Sequence, residues 1–337
     1  MEYDREEPRL PAPRGPLSAA VKDYLLGTGA LPGPAEAAGA PVYGDDLQLA
    51  LYLCYELHYR GFAGVAPQRE WDPDLLRVRA ALEHHFLSAL REDVPVHDSV
   101  DDAVAELLVE PVDGTGVSHF LRDEGELWQL REYAAQRSLY HLKEADPHAW
   151  VLPRLSGRAK AAMAAVEFDE YGGGRPDRVH ARLFADLMTD LGLDTAYGRY
   201  LDAASAEALV TVNMMSLFGL HRALRGALVG HFAAVEITSS PGSRRLAEAM
   251  RRTGAGPAAE HFYDEHVEAD AVHEQVVRQE VIAGLLESEP HLAPDIVFGI
   301  DATVFVEDRF ADRLLADWRA GRSSLRTPVT SAPTHTS

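Results

Sequence analysis

Cysteine is nearly missing from this chain of 337 residues: Cys54 stands alone, so no intrachain disulfide can form. No apolar run approaches the roughly 20 residues that a membrane span requires. The first residues, MEYDREEPRLPAPRG, are acidic and rich in proline. They lack the basic segment and apolar stretch of a secretory signal. Together these absences predict a cytoplasmic protein. Positive charge is also scarce, with 32 Lys and Arg against 53 Asp and Glu, a formal net charge of −21. Such a surface repels nucleic-acid phosphate and anionic membrane, which argues against both as partners, and it favours a cationic substrate. No run alternates in the manner of a strand. Nucleotide-binding loops are absent too. Gly27-Thr28-Gly29 follows no strand, and Gly172-Gly173-Gly174 lacks the Lys-Ser/Thr of a P-loop. His97-Asp98, a pair used by some phosphohydrolases, lies in a polar loop without evident helical partners.

What is present is helical periodicity, so the expected fold class is all-α. Residues 1–16 and 322–337 lack apolar periodicity and read as a disordered arm and a disordered tail. Between them, 17–115 form an N-terminal helical region suited to dimerisation, and 116–321 form a second helical domain. Asp45 and Asp46 open a helix through Arg60, and Asp72-Pro73 opens the next, with proline in its first turn. Asp98 or Ser99 caps a shorter one. In the second domain, helices are predicted over 126–145, 158–171, 176–191 (opened by Pro176), 205–237, 257–287 and 300–320. The 205–237 segment is apolar almost all round and reads as one buried central helix.

The chemistry concentrates in EHVEADAVHE. His266, Asp270 and His273 are spaced i, i+4, i+7, which at 100° per residue places all three on one face of one helix. Two imidazoles and a carboxylate converging in this way suit a first-row metal. Val267, Ala269, Ala271, Val272 and Val276 surround the stripe with apolar residues, which a merely solvated face would not need. In PDRVHARLF, Asp177 and His180 are i, i+3 on one side of a helix start. Glu144 and Glu170 lie near helix ends, with Glu132, Glu167, His231 and Glu236 as rivals. His231 and Glu236 fall on the apolar 205–237 segment, where a charge needs a partner. They are read as outer residues that orient ligands by hydrogen bonds. Glu144, Glu170, Asp177 and Asp270 would balance two Fe(II) ions, and four buried carboxylates without metal would not be tolerated.

These residues resemble the haem-oxygenase-like diiron oxidases and oxygenases, the iron-containing redox enzymes, and within them the N-oxygenase branch. That pattern is a Glu, a second Glu, D-x-x-H, then H-x-x-x-D-x-x-H. Here it falls on Glu144, Glu170, Asp177, His180, His266, Asp270 and His273. YHLKEADPHAW, DEYGGGRPDRVHARLF and FYDEHVEADAVHE carry the likeness beyond the ligands. It spans about 116–305, with a weaker echo in LCYELHYRGF. The resemblance implies a haem-oxygenase-like bundle with extra N-terminal helices and two irons, Fe2+ when reduced and Fe3+ when oxidised. It implies O2 as co-substrate, an external reductase or reductant as electron donor, and a homodimer. The implied reaction is N-oxygenation of a small amine, guanidine or aminoimidazole nitrogen, up to a nitro group, in specialised metabolism. The alternatives are oxidative C–C cleavage or desaturation of an amino or fatty acid, and a non-catalytic metal- or cofactor-binding helical protein. No catalytic residue beyond the metal ligands is implied.

Overall fold

The structure, a computed structural model, describes residues 7–110 and 114–328. The side chains of 34, 35, 38, 268, 270 and 271 lie outside the described residues. About 71% of the chain is helical, and the described residues contain no strand. The order is α1 (Pro16–Leu25), α2 (Pro34–Gly39), α3 (Asp45–Glu56), α4 (Pro73–Asp93), α5 (Val100–Leu107), α6 (Val117–Asp123), α7 (Leu127–His141) and α8 (Asp146–Ala149). There follow α9 (Gly157–Glu170), α10 (His180–Asp190), α11 (Ala206–Leu220), α12 (Arg225–Thr253), α13 (Pro257–Val276), α14 (Ala283–Ser288) and α15 (Ala293–Arg319). A π-helical turn, Val277–Ile282, joins α13 to α14. No helix among the described residues is long and apolar enough to cross a membrane.

Local signals account for most helix starts. The Asp72 carboxylate accepts from the amides of Asp74 and Leu75 at the head of α4, and Ser99 caps α5 through the amide of Asp102. Gly254, in the left-handed conformation, ends α12. One apolar core runs from Leu17 to Trp318 and includes residues from both predicted regions. The segments read as an arm and a tail carry specific contacts where they are described. Arg14 binds Asp45 and the carbonyls of Leu201 and Ala204. Ser323 and Ser324 hydrogen-bond Glu132. Hydrogen bonds dock these segments, and no periodicity announces such bonds. His97 joins its loop to α15, hydrogen-bonded to Asp301 at 2.7 Å and to Glu106 at 2.8 Å.

The single central helix expected over 205–237 is two helices. His221 is extended between α11 and α12, and the last carbonyls of α11, on Gly219 and Leu220, accept from the Arg154 guanidinium. A residue far away in sequence therefore supplies the C-terminal cap. Helix α12 then continues through Pro241 to Thr253, well past the predicted end.

Helices α12 and α15 cross with backbone against backbone. A Cβ on Gly230 would collide with the Ile296 carbonyl oxygen, and one on Gly299 with that of Ala227. The atoms in the way are main chain and cannot swing aside. Gly230→Ala is therefore expected to lower unfolding free energy by at least about 2 kcal/mol, despite alanine's better helix propensity. Urea denaturation checks it, and an unchanged midpoint would show that the crossing is looser than described.

Candidate metal centre

The chain folds back at Glu144 through a strained turn. Helix α7 stops at His141, and Ala145 adopts φ 75°, the one left-handed non-glycine among the described residues. Such conformations persist where the surrounding structure holds them, often at functional sites. Here the turn holds the Glu144 carboxylate, 7% exposed, in the interior. His141 Nδ1 donates to its Oε1 at 2.7 Å, while Oε2 has no hydrogen-bond partner among the described residues. Burial opposes ionisation of Glu144, but the His141 and His266 imidazoles override it and hold the carboxyl well below the usual range.

Glu170 is the last residue of α9. Gly172, Gly173 and Gly174 follow, all with positive φ, and a Cβ on Gly172 would lie 2.7 Å from the backbone of Arg178 and Val179. Only glycine fits this reversal, which brings His180, the first residue of α10, back over Glu170. His180 Nδ1 lies 2.8 Å from Glu170 Oε2, near enough to pair but not aligned as a hydrogen bond. Burial disfavours the charged imidazole, and the Glu170 carboxylate reverses that and raises it.

Helix α13 supplies His266 and His273 from one buried face. His266 Nδ1 donates to the Phe262 carbonyl at 2.7 Å. A carbonyl only accepts, so the neutral ring carries its lone pair on Nε2, which faces Glu144 Oε1 at 3.8 Å. His273 directs Nδ1 at Glu236 Oε2, 3.3 Å away, and at Glu170 Oε1, 3.7 Å away. Its Nε2 donates to Asp169 Oδ2 at 3.4 Å.

The donor atoms fall into two buried groups. Glu144, His180 and His266 form one, and Glu170, Glu236 and His273 the other, the atoms of each group lying within 4.8 Å of one another. Glu170 ties them together, because one oxygen faces His180 of the first group and the other faces His273 of the second. Mixed imidazole and carboxylate donors of this kind suit iron and its first-row neighbours. The wall is aromatic. The His266 ring lies 4.4 Å from Phe262, and that of His141 lies 4.7 Å from Phe184. Tyr140, also buried, has its phenol pushed well up by burial and by Glu144, Glu170, Glu167 and Glu236.

Several placements differ from the sequence reading. Asp177 is outside both groups: its side chain is 74% exposed and sits 3.7 Å from Arg175. Helix α10 starts at His180, not at Pro176, so the i, i+3 spacing that would align Asp177 with His180 never becomes helical. Glu236, read as an outer residue, lies in the second donor group. His231 is turned away, with Nδ1 hydrogen-bonded to Thr303 Oγ1 at 2.8 Å and its ring 5.2 Å from that of His148. Glu132 binds Trp318, Ser323 and Ser324. The side chain of Asp270 lies outside the described residues, though its backbone is in α13 between His266 and His273. Sequence reasoning missed His141 and Asp169, which hold Glu144 and His273. Each lies within three residues of a ligand candidate, and that proximity was the available signal.

Comparison with known proteins adds a family. Residues 131–308, a span that contains every residue of both groups, match the family described as iron-containing redox enzymes. Nitrosourea synthase of Streptomyces achromogenes subsp. streptozoticus is 25% identical over 233 residues, covering 67% of this chain and 50% of that protein. The chain thus spans about half the length of that curated relative.

Proposed function

The chain belongs to the iron-containing redox enzyme family, with its haem-oxygenase-like helical fold, and from that premise we propose that it is a non-haem diiron oxygenase acting on a small amine-type nitrogen. The observation that carries this reading is the pair of buried donor groups sharing Glu170. Two ions held there would supply the electrons that activate O2. Glu144, His180 and His266 would hold one ion, and Glu236 and His273 the other. Glu170 belongs with the second group and also faces His180 of the first, and Asp270 is proposed as a further ligand from its helical spacing.

The remaining contributions come from the chain itself. The Phe262 carbonyl accepts from His266 Nδ1, so the neutral ring would offer a bound ion the lone pair of Nε2 rather than a proton. His141 and Asp169 orient Glu144 and His273. Phe184 and Phe262 exclude water, and the same apolar surroundings would favour the neutral form of a substrate amine, whose lone pair must be available to accept oxygen. The net charge of −21 would draw the protonated amine from solution. Nitrogen is proposed as the atom oxidised because the relative is a nitrosourea synthase. Electrons would come from an external reductant.

The test is anaerobic Fe(II) loading followed by 18O2 with a panel of basic amino acids, guanidines and aminoimidazoles, read by mass spectrometry. Label on nitrogen is the expected result. An alkene or a released aldehyde with no N–O bond would hand the reaction to desaturation or oxidative cleavage.

A further inference from the structure

Glu144 and Glu170 stand on separate turns of the chain, and one hydrogen bond joins those turns. The Tyr171 hydroxyl donates to Asp146 Oδ1 at 3.0 Å. Tyr171 directly follows Glu170, and Asp146 comes just after Glu144 and the left-handed Ala145. Each partner is also tied by its backbone to the turn of the neighbouring carboxylate. The Tyr171 amide donates to the Glu167 carbonyl at 3.0 Å, and the Asp146 amide to that of Lys143 at 3.1 Å. A short, bonded path therefore connects the two carboxylate-bearing residues, although the partners of the hydrogen bond are 25 positions apart.

The Asp146 side of this path is a fixed platform. Just before Glu144, the Leu142 carbonyl accepts from the Arg60 guanidinium at 2.8 Å, and the Lys143 ammonium pairs with buried Glu56 at 2.8 Å. Just after it, α8 lies so close to α11 that a Cβ on Gly219 would stand 2.5 Å from the Pro147 carbonyl oxygen. On the other side, Tyr171 is followed by Gly172, Gly173 and Gly174, which carry no side chains, so the phenol supplies the side-chain anchor at this end of α9. Both partners are half-buried, where a hydrogen bond is sheltered from competing water. Glu170 faces His180 of the first donor group and His273 of its own, so a shift at the end of α9 would disturb both groups. A ligand set tolerates only about 0.5 Å of such movement.

We propose that Tyr171 is a positioning residue. Through its hydrogen bond to Asp146 it holds the end of α9, and Glu170 with it, in register with the turn that carries Glu144. This rests on the reading of the two donor groups as iron sites.

The test titrates full-length apoprotein with Fe(II) under anaerobic conditions, in competition with a chromogenic ferrous chelator. Tyr171→Phe removes one oxygen and should weaken Fe(II) binding about 10–100-fold, the usual cost of losing a group that orients a ligand. Circular dichroism should show the same helix content as in wild type. Asp146→Ala should weaken binding to a similar degree, and adding Tyr171→Phe to it should cost nothing more, because the bond is already gone. Asp146→Asn loses the same charge as Asp146→Ala but keeps an acceptor oxygen, so it should bind Fe(II) about tenfold more tightly than the alanine variant, the lower end of the same range. A role confined to fold stability, or to the Asp146 charge, predicts no such difference. Wild-type affinity in Tyr171→Phe would overturn the proposal, and so would additive losses in the double variant or equal binding by Asp146→Asn and Asp146→Ala. Lost turnover at unchanged affinity would also overturn it, and would move the hydroxyl from positioning to the reaction. Should Tyr171→Phe fail to fold, the asparagine–alanine comparison decides. Wild type that binds no iron would instead refute the site reading beneath the proposal.

Discussion

His273→Ala should bind no more than one iron per chain and lose essentially all turnover. His273 alone brings an imidazole to the second donor group, where Nδ1 faces both Glu170 and Glu236. Its removal leaves two carboxylates around that position and also frees Asp169 of its partner. Replacing even an outer residue that orients a ligand costs about 10–100-fold in metal affinity or activity, and a direct ligand should cost more. The first group keeps Glu144, His180 and His266, so one ion should be retained more firmly than the other. His266→Ala should show the mirror image, with loss from the first group. Iron content by atomic emission, together with Mössbauer spectra of 57Fe-loaded protein, distinguishes one occupied position from two. Two irons and full turnover in His273→Ala would sink the assignment of this group.

Lys143→Met is expected to cost about 3–5 kcal/mol of stability, the usual penalty for leaving a buried charge without its partner. The Lys143 ammonium lies 2.8 Å from Glu56 Oε2, and both side chains are 1% exposed. The Tyr59 ring centroid is 4.0 Å from the same nitrogen, and the Tyr197 hydroxyl donates to the other Glu56 oxygen at 2.7 Å. The variant strips the ammonium and strands the carboxylate, while most of the stem volume is conserved. Adding Glu56→Gln removes the stranded charge. The double variant should therefore recover much of the loss, a coupling that separates charge burial from packing. Lys143 also immediately precedes Glu144, so weaker iron retention should accompany the single change. Chemical denaturation of both variants decides it. A single variant within about 1 kcal/mol of wild type would show that the pair has little structural role.

Some of this was written in the sequence because its physics is local. Helical period, proline at first turns and glycine at stops depend on neighbours within a few residues, which is why the all-α class, the helix opened by Asp72-Pro73 and the helix end just before the three glycines could be read directly. The H-x-x-x-D-x-x-H stripe belongs to the same kind: within one helix, spacing fixes direction, and His266 and His273 do share a buried face. Where a motif straddles a helix start, the rule fails, and Asp177 points to solvent because α10 begins three residues later. The tertiary structure alone decided the rest. Glu236 and His231 looked equivalent on one apolar stretch. They lie on different sides of α12, one toward α13 and the donor group and the other toward Thr303 on α15. Which side of a long buried helix meets which neighbour is set by its packing, here by the glycine-to-backbone crossing of α12 and α15. That contact joins residues about 70 positions apart, and no local rule carries phase across such a distance.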